Sequence, residues 1–106
     1  MPKYLFQLSY STEGFNTVLK DGGTKRRELT EQFMKELGGS VVAYYFAFGD
    51  SDVYIISDLP DNATAAAASL NVNAGGVIKA KTTVLLTPEE VDQAAKVLDS
   101  SSPSGQ

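Results

Sequence analysis

The sequence predicts an α+β domain in which helices cover one face of a four-stranded antiparallel sheet. Two observations lead to this class. First, residues 3–10, KYLFQLSY, alternate between two faces as a β-strand does, and short apolar segments at 40–48, 53–56 and 77–86 predict three more strands. Second, the segments that connect and follow these strands are amphipathic or alanine-rich and contain clear helix start and stop signals.

The first two predicted helices lie between the first and second strands. A short helix follows the first strand and ends at Gly22–Gly23, because a glycine pair stops a helix. The next helix, within residues 24–39, is the clearest of the chain. Its apolar residues Leu29, Phe33 and Leu37 recur every four positions, which predicts one buried face.

The last two predicted helices start at recognisable caps. Asp61 or Asn62 caps an alanine-rich helix after the third strand, and Thr87 with Glu90 forms a capping box with Pro88 at the first helical position. The order is therefore β-α-β-β-α-β followed by an extra C-terminal helix. This is the split βαβ, or ferredoxin-like, arrangement.

Length and charge limit what the chain can be. It has 106 residues, 9 of them basic and 13 acidic, with a net charge of −4. We assign one domain to residues 1–99 and a flexible tail to residues 100–106, SSSPSGQ, which contain no apolar anchor. The lack of a basic patch argues against nucleic acid as a partner, and the lack of a basic cluster beside an apolar helix argues against a membrane-surface role.

The residue types that are missing exclude several kinds of chemistry. The chain contains no Cys and no His, so it has no disulfide, no thiolate site and no Ser–His or Cys–His mechanism. We expect no metal and no cofactor. The apolar stretch at the N-terminus is too short for a signal peptide, and its residues alternate with polar ones. No apolar run approaches the ~18 residues of a membrane span. A cytoplasmic location is therefore expected.

A polar break, GDSD at residues 49–52, separates the second and third strands. With Asp50–Ser51 as a two-residue loop, Phe48 would lie opposite Val53. Asp52 then has two interpretations. It either ties the turn by hydrogen bonds to the backbone, which we favour, or acts as an acid or base beside an apolar pocket.

Four aspartates flank the third strand, and a group of carboxylates can bind a cation. They are Asp50, Asp52, Asp58 and Asp61. The first two precede the strand and the last two follow it, so the strand separates the pairs by about 20 Å at a rise of about 3.3 Å per residue. We therefore expect no Mg²⁺ or Ca²⁺ site and interpret the pairs as a turn and a helix cap.

A polar set on the first and fourth strands is the best candidate for ligand binding. The two strands are neighbours in the ferredoxin-like order, and these residues share one parity, so they would line one sheet face. The candidate set is Gln7, Ser9, Lys79, Lys81 and Thr83, together with Tyr45 and Asp52. Such a face would suit a small anionic or oxygenated molecule. The alternative is that the lysines only discourage pairing at the sheet edge.

The second and third strands are apolar on both faces, although helices can cover only one face. One predicted face contains Val42, Tyr44, Phe46 and Phe48 with Val53 and Ile55. The other contains Val41, Ala43, Tyr45 and Ala47 with Tyr54 and Ile56. One set has no partner within the chain, so we expect a homodimer that buries it against the same set of a second copy.

The ordered set of motifs resembles the GYD domain family over about nine-tenths of the chain. The matching stretches are SYSTEGF, KELGGSVVAYYFAFGDSDVYII, LPDNATAAAASL, AGG and KTTVLLTPEEV. The element that names the family falls on residues 49–52, where this chain has Ser51 in place of the family tyrosine. The resemblance implies a ferredoxin-like fold of the dimeric α/β-barrel kind, and it implies no particular reaction.

Three functions are compatible with these observations. The first is a homodimer that binds a small molecule in the barrel or at its rim. The second is a cofactor-independent monooxygenase or isomerase, which would need Asp52, Lys79, Tyr44 or Tyr45 as its proton carrier because the chain has no His or Cys. Membership of a fold with such enzymes is only an analogy. The third is a regulatory module whose ligand changes its assembly.

Overall fold

A single antiparallel sheet of four strands organises the computed structural model, which describes residues 1–101. The strands are β1 (Lys3–Tyr10), β2 (Ser40–Phe46), β3 (Val53–Asp58) and β4 (Ile78–Leu85). The helices are α1 (Thr12–Asp21), α2 (Gly23–Glu36), α3 (Asn62–Ala74) and α4 (Pro88–Ser100). The strand order β2-β3-β1-β4 places the first and last strands side by side, and the predicted ferredoxin-like α+β fold is confirmed.

The core lies between the helices and one face of this sheet. The alternate residues of β1 that point to this face, among them Tyr4, Phe6 and Leu8, are buried. Val53 and Ile55 on β3 extend the same face. The helices add three buried apolar side chains to this core, which are Met34, Ala65 and Ala68. Each large side chain removed from water in this layer contributes about 1.5–3 kcal/mol, so the layer dominates the stability of the fold.

The helix starts follow the predicted caps. Asp61 precedes α3 and accepts a hydrogen bond from the backbone N–H of Thr64 at 2.8 Å. Thr87 and Glu90 form the expected capping box at the start of α4, with bonds of 2.9 and 3.0 Å in the two directions. Both caps satisfy backbone N–H groups that the first turn of a helix leaves unpaired. These two helix starts could therefore be predicted from the sequence.

The predicted two-residue hairpin loop is wrong. Strand β2 ends at Phe46, which pairs with Val53, and residues 47–52 form a longer loop in which Phe48 is fully exposed. The reason is a set of hydrogen bonds to another strand. The backbone N–H of Asp52 donates to the carbonyl of Leu8 at 2.7 Å, and its carboxylate accepts from the N–H of Tyr10 at 2.8 Å, so the end of the loop is bound to β1.

The predicted faces of the first residues of β2 are also wrong. A bulge between Val41 and Ala43 changes the register, so that Val41 pairs with Ser57 on the core side and Val42 is exposed. A bulge adds one residue to one strand and reverses the alternation before it. Beyond the bulge the predicted alternation holds, with Tyr45 on the open side of the sheet.

Helix α4 extends away from the rest of the molecule. The described chain measures 58 × 27 × 22 Å, and its radius of gyration is 16.9 Å, against about 13 Å for a compact domain of this length. Val91, Ala94, Ala95 and Leu98 form an apolar stripe along α4 at helical spacing, but every residue of the helix is exposed. Ser100, where the tail was expected to begin, is the last residue of α4, and residues 102–106 of that predicted tail lie outside the described residues.

Replacing Gly39 by alanine is expected to destabilise the fold. A Cβ at this position would overlap the backbone oxygen of Asp58, where β2 starts beside the end of β3. Overpacking of this kind costs about 3 kcal/mol. Gly49→Ala is the matched control, since a Cβ there meets no atom within 4 Å and the free energy of unfolding should change by at most about 1 kcal/mol. Equal urea midpoints for the two variants would contradict the close approach at Gly39.

Candidate functional site

The sheet face opposite the core is open, and it contains most of the predicted site residues. One row of cross-strand neighbours runs over all four strands. Tyr45 on β2 pairs with Tyr54 on β3, which pairs with Gln7 on β1, which pairs with Lys81 on β4. The row changes from aromatic to cationic across the sheet, so the open face has an apolar half and a polar half.

The polar half lies on β1 and β4, and its residues share a face as their parity indicated. Ser9 pairs with Lys79 and Gln7 pairs with Lys81, while Thr83 follows on the same side of β4. Both lysines are exposed, and within residues 1–101 neither takes part in a salt bridge. The Cα atoms of the two lysines lie about 7 Å apart along one strand, so the polar half contains two neighbouring positive charges.

The apolar half lies on β2 and β3 with a contribution from β1. Tyr45 is 71% exposed and Val42 is 51% exposed. Leu5, Tyr54 and Ile56 on the neighbouring strands are half-buried and face the same way. Large apolar side chains that adjoin one another on a surface typically mark a site of association with another molecule.

Asp52 lies apart from the other predicted site residues. Its Oδ2 accepts a hydrogen bond from the backbone N–H of Tyr10 at 2.8 Å, and its own carbonyl accepts one from Ala47 at 2.9 Å. The side chain lines a cavity on the helix side, beside Phe15 and Phe48. Asp52 therefore fastens the β2–β3 loop to β1, which extends the structural interpretation from the turn to the neighbouring strand.

The residues named as possible proton carriers do not meet at one place. Lys79 and Tyr45 lie on the open face, at opposite edges of the sheet. Tyr44 points to the core side, and the carboxylate of Asp52 is held by a backbone amide. General acid–base catalysis needs at least one such group within hydrogen-bond reach of the reacting atom, so within a single chain each of these residues would have to act without the others.

Sequence reasoning missed a cavity on the covered side of the sheet, between α2 and α3. Its volume is about 180 Å³. Its polar lining includes Tyr10, Arg26 and Tyr44, which come from β1, α2 and β2. The three residues gave no sign of a site, because both tyrosines continue the apolar alternation of their strands and Arg26 is an ordinary polar residue of a helix surface. The available signal was a phenol at a core-facing strand position, because a buried phenol needs a polar partner.

Two further features of the described chain bear on function. Among residues 1–101, acidic residues nowhere gather in a group of three or more that could hold a metal ion. The helices in this part of the chain are also too short or too polar to cross a membrane.

The fold and the open face together define a class. The chain is a ferredoxin-like α+β domain with one sheet face covered by helices and the other accessible. Within that class, the model of the GYD domain matches residues 4–95, and the chain belongs to the GYD domain family. No curated protein and no solved structure matches the chain. Ser51, which stands where the resemblance places the family tyrosine, is buried inside the β2–β3 loop.

The hydrogen bond of Asp52 predicts different results for two substitutions. Asp52→Asn retains an oxygen that can accept from the Tyr10 N–H, so the free energy of unfolding should fall by about 1 kcal/mol or less. Asp52→Ala removes this acceptor from a half-buried amide and should cost about 1–3 kcal/mol. Urea denaturation measures both. Equal losses would show that the negative charge matters, and not the acceptor.

Proposed function

We propose that this GYD domain protein is a cytoplasmic homodimer that encloses a barrel between two open sheet faces and binds a small anionic or oxygenated molecule at its rim. The observation that carries the proposal is the open face itself. It presents an apolar half that helices of the same chain do not cover and a cationic half that has no anionic partner among the described residues.

The apolar half favours a second copy of the chain as its cover. Complete burial of an exposed large side chain contributes about 1.5–3 kcal/mol, so Tyr45 would contribute most, and the half-buried Leu5, Tyr54 and Ile56 would each contribute less. A two-fold axis brings the same patch of two copies together, so that one self-complementary surface suffices. Sheets that pack face to face lie about 10 Å apart, which leaves room for interdigitating side chains in the middle of the barrel.

Helix α4 supports the same assembly. Val91, Val97 and Leu98 are 54%, 59% and 76% exposed on a helix that projects from the domain. An apolar stripe on a projecting helix is stabilised when a partner covers it. In a two-fold dimer each α4 would cover part of the other protomer, and the two unpartnered apolar surfaces would be buried in one event.

The polar half favours an anionic ligand. Lys79 and Lys81 supply two positive charges on one strand, and Gln7 and Ser9 supply neutral hydrogen-bond donors on the next. Lysine binds phosphate and carboxylate groups as a point charge. In the dimer these residues would lie at the edge of the enclosed space, where a small molecule can enter from solvent.

The dimer is tested by mass. Light scattering at micromolar concentration should give about twice 11.3 kDa for the unmodified chain. Tyr45→Glu places a charge at the centre of the proposed contact and should yield monomer or aggregate. Leu70→Glu, at a 70% exposed position on α3, is the matched control and should remain dimeric. A well-behaved monomer of the unmodified chain would contradict the proposal.

The ligand site is tested with a thermal-shift screen of small phosphates and carboxylates, beginning with inorganic phosphate. A ligand present at one hundred times its dissociation constant stabilises the protein by about 2.7 kcal/mol. Lys81→Gln should weaken the binding of each hit, while Lys35→Gln on the exposed face of α2 should not. Equal binding to both variants would place the site elsewhere. A hit that changes the dimer mass would favour a regulatory role, and a hit that is converted would favour an enzyme.

A further inference from the structure

The cavity between α2 and α3 has an apolar floor. Phe6, Leu8, Met34 and Ala68 line it from β1, α2 and α3, and all four are buried. Ile78 and Ala80 of β4 close the side. A space with such walls has no polar partners for water at its bottom, and an apolar group gains by filling it.

The rim of the cavity is open to solvent and contains both polar and apolar side chains. Arg26 retains 23% exposure of its side chain, and Leu29, one helical turn further along α2, is 44% exposed. Asn71 of α3 is exposed on the opposite side of the opening. The cavity therefore has a buried apolar end and a solvated end with one cation, which is the arrangement of a pocket for an amphipathic small molecule.

Two phenols accompany the guanidinium. Burial raises the pKa of the Tyr10 phenol well above its ordinary value, the neighbouring Tyr44 phenol raises that pKa further, and the Arg26 guanidinium offsets part of the rise. Tyr10 is therefore protonated across the physiological pH range. The Tyr10 phenol lies within hydrogen-bonding reach of the Tyr44 phenol and the Arg26 guanidinium, so an anionic oxygen bound here would take donors that these groups otherwise direct towards one another.

Arg26 retains donors for such bonds, because a guanidinium carries five N–H groups. Its nearest carboxylate is Asp21, whose Oδ2 lies 3.7 Å from one terminal nitrogen. A charge-assisted hydrogen bond between nitrogen and oxygen has a length of about 2.7–2.9 Å, so this pair is a loose ion pair that leaves the planar fork of the guanidinium available. One cation that is partly balanced by Asp21 matches a monoanion better than a doubly charged phosphate.

The volume limits the apolar part of the ligand. The cavity measures about 180 Å³. An apolar cavity of about 150 Å³ in another protein holds one benzene molecule, so this one accommodates a single six-membered ring with a small substituent. Two fused rings with a carboxylate would not fit without displacing side chains of the core.

We propose that this cavity is a second binding site, on the face of the sheet opposite the barrel, for a single-ring aromatic carboxylate. The ring lies among the apolar residues of the floor, and the carboxylate lies between the guanidinium of Arg26 and the phenol of Tyr10. The planar fork of arginine binds a carboxylate in a bidentate manner and fixes the orientation of the ring.

The first test compares benzoate with benzamide, its neutral analogue, on the unmodified protein. Titrations followed by amide ¹H–¹⁵N spectra should show that benzoate perturbs residues around Arg26 and Ile78, and that it binds at least tenfold more tightly than benzamide. Perturbations centred on Gln7 and Lys81 would place benzoate on the barrel face and overturn the second site. The absence of perturbation at millimolar benzoate would also overturn it.

The second test uses a pair of adjacent arginines. Arg26→Gln should weaken benzoate binding at least tenfold and leave benzamide binding within twofold. Arg27→Gln makes the same charge change at the next, exposed residue of α2 and should leave both affinities unchanged. Equal losses of benzoate affinity in the two variants would show that only the net charge of the protein matters, and would contradict a specific role of Arg26. Since the cavity lies within one protomer, benzoate should bind whether or not the chain dimerises, so failure of either proposal can be recognised separately.

Discussion

The structure depends on one constraint: helices that connect the strands of this sheet can cover only one of its faces. β1 and β3 occupy the middle of the sheet, and their core-facing residues, among them Tyr4, Phe6 and Ile55, are buried beneath α2 and α3. Their other residues, such as Leu5, Tyr54 and Ile56, are also apolar and have no such cover. The apolar surface left on the open face is what gives the proposed dimer its physical basis.

The covered side of the sheet is not uniformly packed. α2 packs against β2 and α3 packs against β4, at the two edges of the sheet. α3 is rich in alanine, and its Ala65 and Ala68 approach the sheet closely without filling the space towards α2. The space between the two helices is lined by the phenols of Tyr10 and Tyr44 and by Arg26. A cavity at this place is therefore a consequence of small side chains on one helix and long polar ones on the facing elements.

Asp52 shows how a local polar motif can serve a distant element. Its carboxylate and its backbone N–H both bond to β1, at Tyr10 and Leu8. These bonds fasten the β2–β3 loop over the end of the central strand, next to the apolar groove that contains Phe15 and Phe48. The bond from the Tyr10 N–H to one carboxylate oxygen, Oδ2, supports the shape of that end of the molecule.

Local sequence information was sufficient for the element order, for the caps at Asp61 and Thr87, and for the shared face of β1 and β4, because each depends on neighbours along the chain or on uninterrupted alternation. It was insufficient for the bulge at Val42 and for the six-residue loop after Phe46. The loop follows from bonds to β1, some forty residues away in sequence, and local patterns do not record such bonds. The Arg26 cavity likewise exists only because the tertiary structure separates α2 from α3, and no periodicity in either helix specifies that separation.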